Sequence, residues 1–187
     1  MRLLPYGDRA VLLELDDPLS VAPALRGAPG VVEVVPGART VLVRFDPAST
    51  TPDALAAAAR GTSRRRVRGG ALVEIPIRYD GADLDAVAAE SGLDRAEVVA
   101  RHCGGEYRVA FCGFSPGFAY LTGLDPALQL PRLAEPRTRV PAGAVGVAGE
   151  FTGIYPRPSP GGWRLLGHTD APLWRAERDP PALLVPG

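Results

Sequence analysis

The first third of the chain alternates between strand-like and helix-like spacing of its apolar residues. The run at 9–15 (RAVLLEL) predicts a strand, which ends at two aspartates and a proline. A short helix is expected next, over 18–26. Two β-branched runs, 31–35 and 40–45, are separated by Pro-Gly-Ala-Arg and therefore predict a hairpin.

A second helix and a further apolar run follow. Thr51 as N-cap, with proline next to it and Gly61 as the stop, predicts a helix between them. Beyond the basic residues of 63–68, which we interpret as a solvated linker, the alternating run at 72–79 predicts a strand. This order of elements is that of a ferredoxin-like split βαβ domain, expected over 1–75. The alternative is that the last strand opens the next domain.

The next segment is expected to contain two helices joined by a short turn. They cover 83–91 and 94–102, and the second begins with an Asp94-x-x-Glu97 capping pattern. The pair resembles a DNA-binding helix-turn-helix. Acidic residues outnumber arginines here and would face phosphates, so we do not predict DNA binding.

Helix signals nearly vanish beyond residue 106. Short apolar runs at 107–111, 144–148 and 163–166 alternate with segments dense in Gly and Pro. This pattern is typical of a β-barrel or of a sandwich with long, shaped loops. We therefore predict an α+β protein whose second domain covers 76–187.

The composition removes several classes of function. Acidic and basic residues balance at 21 each, so the chain lacks the excess positive charge of non-specific nucleic-acid binders. No apolar run approaches the roughly 20 residues that span a bilayer, and no signal peptide is recognisable, so we expect a cytoplasmic protein. Cys103, Cys112, His102 and His168 lack metal-ligand spacing, so free thiols and no metal are predicted.

All 21 basic residues are arginines. Lysine chemistry and a Walker-type phosphate loop are therefore excluded, and anions must be held by Arg, backbone N–H groups or helix N termini. Five arginines dominate the charge between 113 and 167, namely Arg132, Arg137, Arg139, Arg157 and Arg164. Arg137 and Arg139 lie between two prolines, and a stiff backbone of this kind suits recognition of carboxylate or phosphate.

Two Ser-Pro-Gly tripeptides, 115–117 and 159–161, mark a candidate binding surface. The first matches the Gly-x-Ser-x-Gly elbow of α/β-hydrolases, but that elbow needs a backbone N–H that Pro116 lacks, so a serine nucleophile is rejected. Each tripeptide predicts a tight turn, which brings backbone close to a ligand near Tyr155 and Trp163 or simply turns the chain.

Longer motifs carry a family resemblance over nearly the whole chain. They are YGDRAVLLEL at 6–15, GFSPGFAYLTGLD at 113–125 and LPRLAEPRTRVPAGAVGVAGEFTGIYPRPSPGGWRLLGHT at 130–169. Together with His102 and the YRVAF at 107–111, they resemble the B subunit of bacterial ATP-dependent 5-oxoprolinases. The same family includes Kip-type sensor-kinase inhibitors and was long labelled allophanate hydrolase subunit 1.

The resemblance implies a small N-terminal α/β domain followed by a cyclophilin-like β-barrel. It implies two partners, a homologue of the C subunit with a second barrel and a homologue of the A subunit, which together open 5-oxoproline to glutamate. ATP would be bound by the assembled complex rather than by this chain alone. The alternative within the family is a non-catalytic inhibitor that binds a sensor histidine kinase. A relation to biotin-dependent urea carboxylase is weaker, because no lysine is present to carry biotin.

Residues and resemblance together predict a site shared with a partner subunit. His102, which ends a helix and suits either a general acid or a helix cap, and Arg137 are the candidate catalytic residues. The candidate substrate-binding residues are Phe114, Pro116, Gly117, Arg139, Pro141, Gly143, Tyr155, Ser159, Gly161, Gly162 and Trp163. Ala144 and 167–170 depart from the family pattern of Ser and Gly-Arg-Thr-Pro. Relatives continue beyond Gly187, so a final barrel strand is expected to be missing.

Overall fold

The computed structural model describes residues 1–62 and 70–186. They form two units, Met1–Gly70 and Ala71–Pro186, each with hydrophobic clusters of its own. The division falls between Gly70 and Ala71, whereas the sequence predicts a boundary near residue 75. The basic linker predicted over 63–68 lies outside the described residues.

The first unit is an antiparallel sheet with two helices. Its elements are β1 (Arg2–Pro5), β2 (Ala10–Glu14), α1 (Pro18–Arg26), β3 (Val31–Pro36), β4 (Thr40–Phe45) and α2 (Pro52–Arg60). Because side chains alternate along a strand, Val11, Leu13, Val41 and Val43 lie on one face, where they are buried against the helices.

The helices of this unit begin at local capping residues. The Asp17 side chain accepts a hydrogen bond from the Ser20 N–H at 3.2 Å, and the Thr51 hydroxyl accepts one from the Ala54 N–H at 3.3 Å. Both helices have proline in the first turn, where its missing N–H costs nothing. The two predicted helices are confirmed because these signals act within one turn of chain.

β1 occupies the sheet edge where the split βαβ arrangement would place its last strand. The strand order is β1-β2-β4-β3, with every neighbour antiparallel. The strand predicted at 72–79 is wrong, because only Arg78 pairs there, and it pairs with His168 of the second unit. Ile75 and Ile77 pack against the core of that unit, so they are not available to the first sheet.

The second unit begins with two helices and continues with short strands. Its elements are α3 (Leu84–Ser91), α4 (Arg95–Cys103), β5 (Arg108–Cys112), β6 (Ala119–Thr122), a 3-10 turn (Pro126–Leu128), β7 (Arg137–Val140), β8 (Ala144–Ala148), β9 (Phe151–Ile154), β10 (Ser159–Gly161) and β11 (Arg164–His168). Both predicted helices and the strands at β5, β8 and β11 are confirmed. β1, β6, β7, β9 and β10 were not predicted.

The strands form a five-stranded antiparallel sheet, β11-β8-β9-β6-β5, and a separate pair, β10-β7. Within the described residues these ladders do not close, so the predicted closed barrel is replaced by open antiparallel sheets. β8 is buried along its whole length because both of its faces are covered. Val147 packs towards α3 and α4, whereas Ala144 and Ala148 pack into an aromatic cluster on the other face.

α3 and α4 use their apolar faces for this core. Leu84, Val87 and Val98 are buried with residues of β8 and β11. The predicted capping box is present, because the Asp94 carboxylate accepts from the Glu97 N–H at 2.8 Å and Glu97 reciprocates at 3.1 Å. None of the described helices is long and apolar enough to cross a membrane.

Candidate functional site

A small pocket lies beside the aromatic cluster of the second unit. Its volume is about 60 Å³. It is lined by Phe114, Phe118, Tyr120, Arg132, Tyr155, Pro160, Gly161, Gly162 and Trp163. Arg132 is the one charged residue in this lining. Five of the predicted substrate-binding residues therefore meet in one place, namely Phe114, Tyr155, Gly161, Gly162 and Trp163.

Phe118 is the centre of the aromatic walls. Its ring makes edge contacts with Phe114, Tyr120, Tyr155 and Trp163 at centroid separations of 5.3, 5.0, 5.3 and 5.4 Å. Edge-to-face geometry places the positive ring edge on the negative face of its neighbour, which stabilises the cluster beyond simple burial. The walls are therefore rigid and apolar, and they offer flat surfaces to a ligand.

The first Ser-Pro-Gly tripeptide forms the predicted tight turn at the pocket rim. The Phe118 N–H donates to the Ser115 carbonyl at 3.0 Å, and Gly117 has the positive φ of 84° that this turn requires. Phe114 also has a positive φ, 66°, which is costly for a bulky residue. The strained backbone holds its ring at the rim, where the residue is 58% exposed.

The second tripeptide does not form a turn. Ser159–Gly161 is strand β10, and its pairing with β7 shifts register between those two residues. A bulge at Pro160 explains the shift, because proline has no N–H to donate to the ladder. A Cβ at Gly161 would overlap the Tyr155 hydroxyl, so glycine at this position lets that ring approach the strand.

The chain on both sides of Arg132 is held by hydrogen bonds. The Leu133 N–H donates to the Gly162 carbonyl at 2.8 Å, and Arg164 Nε donates to the Pro131 carbonyl at 2.9 Å. Arg164 is held in turn by Glu90, with 2.6 Å between Nη1 and Oε1. Arg132 thus extends from a fixed backbone at the pocket, although its side chain is exposed.

Tyr155 is the pocket residue whose acidity responds most visibly to its surroundings. Burial raises the pKa of its hydroxyl, and the positive charges of Arg132 and Arg137 offset part of that rise. The phenol is therefore neutral at physiological pH. It contributes an apolar ring and a hydroxyl group to the site.

Arg137, predicted as catalytic, lies outside the pocket lining and is bound to a buried acid. Its Nη2 is 2.6 Å from Asp83 Oδ1, while Asp83 Oδ2 accepts the Leu165 N–H at 2.7 Å. Arg137 Nη1 also donates to the Trp163 carbonyl at 3.4 Å. The guanidinium therefore joins the start of α3 to the strand that carries Trp163, behind the pocket.

His102, the other predicted catalytic residue, is buried away from the pocket lining. Its Nδ1 is 2.7 Å from the Tyr79 hydroxyl, and its Nε2 is 3.0 Å from Thr152 Oγ1. Thr152 donates its own proton to the Gly146 carbonyl at 3.1 Å, so it must accept from His102 Nε2–H. Tyr79 then donates to Nδ1, and burial lowers the pKa of His102 to about 4. A neutral ring in this position suits packing rather than acid catalysis.

The other predicted residues lie outside the lining; these are Pro116, Gly117, Arg139, Pro141, Gly143 and Ser159. Gly143 supports the site from behind, because its N–H donates to the Tyr155 carbonyl at 2.7 Å and a Cβ there would overlap the Thr169 carbonyl. Arg139 is exposed on β7. The described residues contain no group of three His, Cys, Asp or Glu that could hold a metal ion.

Four lining residues were not among the predicted site residues: Phe118, Tyr120, Arg132 and Pro160. A sequence signal exists for two of them. Phe118 and Tyr120 are two residues apart in Phe-Ala-Tyr, so they share one face of β6. Arg132 has no local signal, because only the contacts of its neighbours bring it to the pocket.

Comparison with known proteins agrees with this architecture. A family model for the carboxyltransferase domain, subdomain C and D, matches residues 1–184. The B subunit of the 5-oxoprolinase of Escherichia coli O157:H7 is 44% identical over 197 residues, which cover 97% of this chain and 90% of that protein.

Solved structures show the same fold. The crystal structure of TTHA0988 gives a TM-score of 0.81 at 42% identity, covering 96% of this chain and 38% of that one. The urea amidolyase of K. lactis gives a TM-score of 0.72 at 21% identity, covering 98% of this chain and 14% of that one, and shows the fold alone. The chain therefore belongs to the family of 5-oxoprolinase B subunits, within the carboxyltransferase domains of subdomains C and D.

Proposed function

We propose that this chain is one subunit of an ATP-dependent 5-oxoprolinase, which opens 5-oxoproline to glutamate. Its pocket would form one wall of a site that is completed by a partner subunit. The names of the relatives supply the reaction. The aromatic pocket with one arginine is the observation that carries the proposal, because flat apolar walls suit a small ring and a guanidinium suits its carboxylate.

The size of the pocket supports a shared site. At about 60 Å³ it is far smaller than the about 300–1,000 Å³ of an ordinary small-molecule pocket. Further walls are needed to enclose a substrate and exclude water. In TTHA0988 the region similar to this chain accounts for 38% of a longer polypeptide, so additional protein accompanies it there. We assign the missing walls to a homologue of the C subunit, and we include a homologue of the A subunit in the complex.

The chemistry requires an activating co-substrate, because a lactam is a poor electrophile. Transfer of the γ-phosphoryl group of ATP to the lactam oxygen makes the ring carbon reactive. Water adds to that carbon and the ring nitrogen leaves as the amine, which gives an acyl phosphate. A second water releases phosphate and glutamate. With arginine as its one basic residue type and no Walker loop, the chain is assigned no independent ATP site.

Within this division, the pocket residues bind and orient the ring. Phe118 and Trp163 provide the apolar surface and exclude water from the reacting bond. Arg137 is a positioning residue in this proposal, because it acts through the carbonyl of Trp163. His102 maintains the core beneath the sheet.

Reconstitution with homologues of the A and C subunits tests the proposal. We expect ATP-dependent formation of glutamate from 5-oxoproline by the complex and none by the chain alone. A matched control replaces Phe118 by Leu in the complex, which should raise KM, whereas Phe111→Leu, outside the lining, should not. Turnover at an enzyme-like rate by the isolated chain would contradict the division of the site.

A second candidate function uses the same surface without catalysis. Phe114 is 58% exposed and Trp174 is 45% exposed, and the Trp174 Cβ lies against the Gly117 turn. Exposed aromatic residues of this kind anchor protein interfaces, as an inhibitor of a sensor histidine kinase would need. Stoichiometric inhibition of kinase autophosphorylation would support this candidate. Co-purification with a homologue of the C subunit would support the oxoprolinase.

A further inference from the structure

We infer that Arg132 binds the carboxylate of the ligand, and that the pocket selects a small ring bearing a single carboxylate. The identity of that ligand as 5-oxoproline rests on the proposed function. The assignment of Arg132 rests on the geometry of the pocket itself.

Other arginines of this region are already committed to acids. Arg137 is bound to Asp83, and Arg164 is bound to Glu90, each at 2.6 Å. Neither of these two guanidinium groups lines the pocket. Among the lining residues, Arg132 alone carries a charge, so an anionic ligand has one cation to meet.

The backbone around Arg132 is fixed before any ligand arrives. Leu133 is hydrogen-bonded to Gly162, and Pro131 to Arg164. Proline also restricts its own φ and the conformation of the residue before it. The guanidinium therefore pivots from an anchored point, and less entropy is lost when it orders on a carboxylate.

The lining also indicates the chemical class of the ligand. One guanidinium forms two parallel N–H···O bonds with one carboxylate. The remaining walls are aromatic rings, a proline and two glycines. They offer a flat ring apolar contact but no second cation for a phosphate dianion. A five- or six-membered ring would lie on Phe118 and Trp163, with its carboxylate at the exposed mouth.

A titration with matched ligands tests the inference. Trp163 lines the pocket, so its fluorescence reports binding in the full chain carrying Trp174→Phe, alone and reconstituted with its partners. We expect 5-oxoproline and cyclopentanecarboxylate to change the signal. Pyrrolidin-2-one, the lactam without a carboxylate, should have no effect at the same concentrations.

The variant Arg132→Gln should raise the dissociation constant for 5-oxoproline about tenfold or more, because a charged hydrogen-bond pair is lost. Arg139→Gln, also at an exposed arginine but outside the lining, is the matched control and should bind as the parent does. Thermal melting confirms that both variants are folded. Equal affinity for pyrrolidin-2-one and 5-oxoproline, unchanged binding by Arg132→Gln, or no carboxylate binding in either form would overturn the inference.

The same experiment separates this inference from the proposed function. If carboxylates bind through Arg132 but the reconstituted complex forms no glutamate, the oxoprolinase proposal fails and the binding assignment stands. If the complex forms glutamate and Arg132→Gln leaves KM unchanged, the reaction stands and the assignment of Arg132 fails.

Discussion

At the scale of single residues, Gly161 illustrates how the pocket depends on an absent side chain. Tyr155 is buried, and its hydroxyl occupies the space that a Cβ of Gly161 would need. Interiors at native density cannot absorb even a methyl group without moving a neighbour. The wall of the pocket is therefore set by contact between a ring and bare backbone.

Gly161→Ala should push Tyr155 out of place and cost about 1–3 kcal/mol of the free energy of unfolding. The control is Gly113→Ala, whose Cβ would meet nothing closer than Tyr120 at 4.0 Å. Urea denaturation measures both variants. Equal stability of Gly161→Ala and the parent would show that the ring can relax without cost.

His102 should make the stability of the protein depend on pH. Its pKa is about 4 in the folded chain against an ordinary value of 6.5, so the unfolded chain binds more protons between these values. The stabilisation is present above pH 6.5 and is lost as the pH falls towards 4, by about 3 kcal/mol in total.

Urea denaturation across this pH range checks the prediction, and His102→Gln should flatten the dependence. The ring can also be titrated directly by NMR in the unaltered chain, which covers the case of a variant that does not fold. A His102 midpoint near 6.5 would contradict the buried, neutral imidazole.

At the scale of elements, Asp83 joins α3 to two strands. Its carboxylate binds the Arg137 side chain and the Leu165 N–H, and its own N–H donates to the Leu165 carbonyl at 3.0 Å. A buried carboxylate with this many partners fixes the register between helix and sheet. Trp163 is held through the same guanidinium.

Asp83→Ala should destabilise the protein by about 3 kcal/mol, because it leaves a partly buried guanidinium and a strand N–H without partners. Asp85→Ala removes a partner from an exposed ion pair with Arg95 two residues away and should change stability little. Chemical denaturation distinguishes them. Equal effects of the two variants would argue against a specific role for the buried pair.

The elements also show where sequence patterns suffice. α1 and α2 begin and end where their prolines, caps and glycines predict, because each signal acts within one turn. β7 and β10 escape prediction because each is short and has little alternation, and their pairing joins residues far apart in sequence. The strand expected at 72–79 has the right alternation, but its isoleucines are used by another core.

At the scale of the whole molecule, the two units have separate cores. The buried cluster of the first unit contains residues from Val11 to Ala59, and those of the second lie between Leu84 and Leu173. Each cluster combines helices and strands of its own unit. Separate cores of this kind allow separate folding.

We therefore expect a fragment of residues 71–187 to fold alone. Both tryptophans are in this fragment, so the fluorescence maximum and a dispersed NMR spectrum like that of the full chain would confirm it. The fragment of 1–70 is the companion experiment. An unfolded 71–187 fragment would mean that the second core requires the first unit.

The amino-acid sequence is enough to predict the four helices, the hairpin of the first unit, the exclusion of lysine chemistry and the family. These follow from local signals or from long motifs that the chain carries in order. The composition of the site depends instead on tertiary contacts. They place His102 in the core and bind Arg137 to Asp83, because burial and pairing depend on residues distant in sequence. They also bring Arg132 to the aromatic pocket through the hydrogen bonds of its neighbours. The Gly/Pro-rich stretch thus carries the pocket, but contacts that no local pattern records select which of its residues line it.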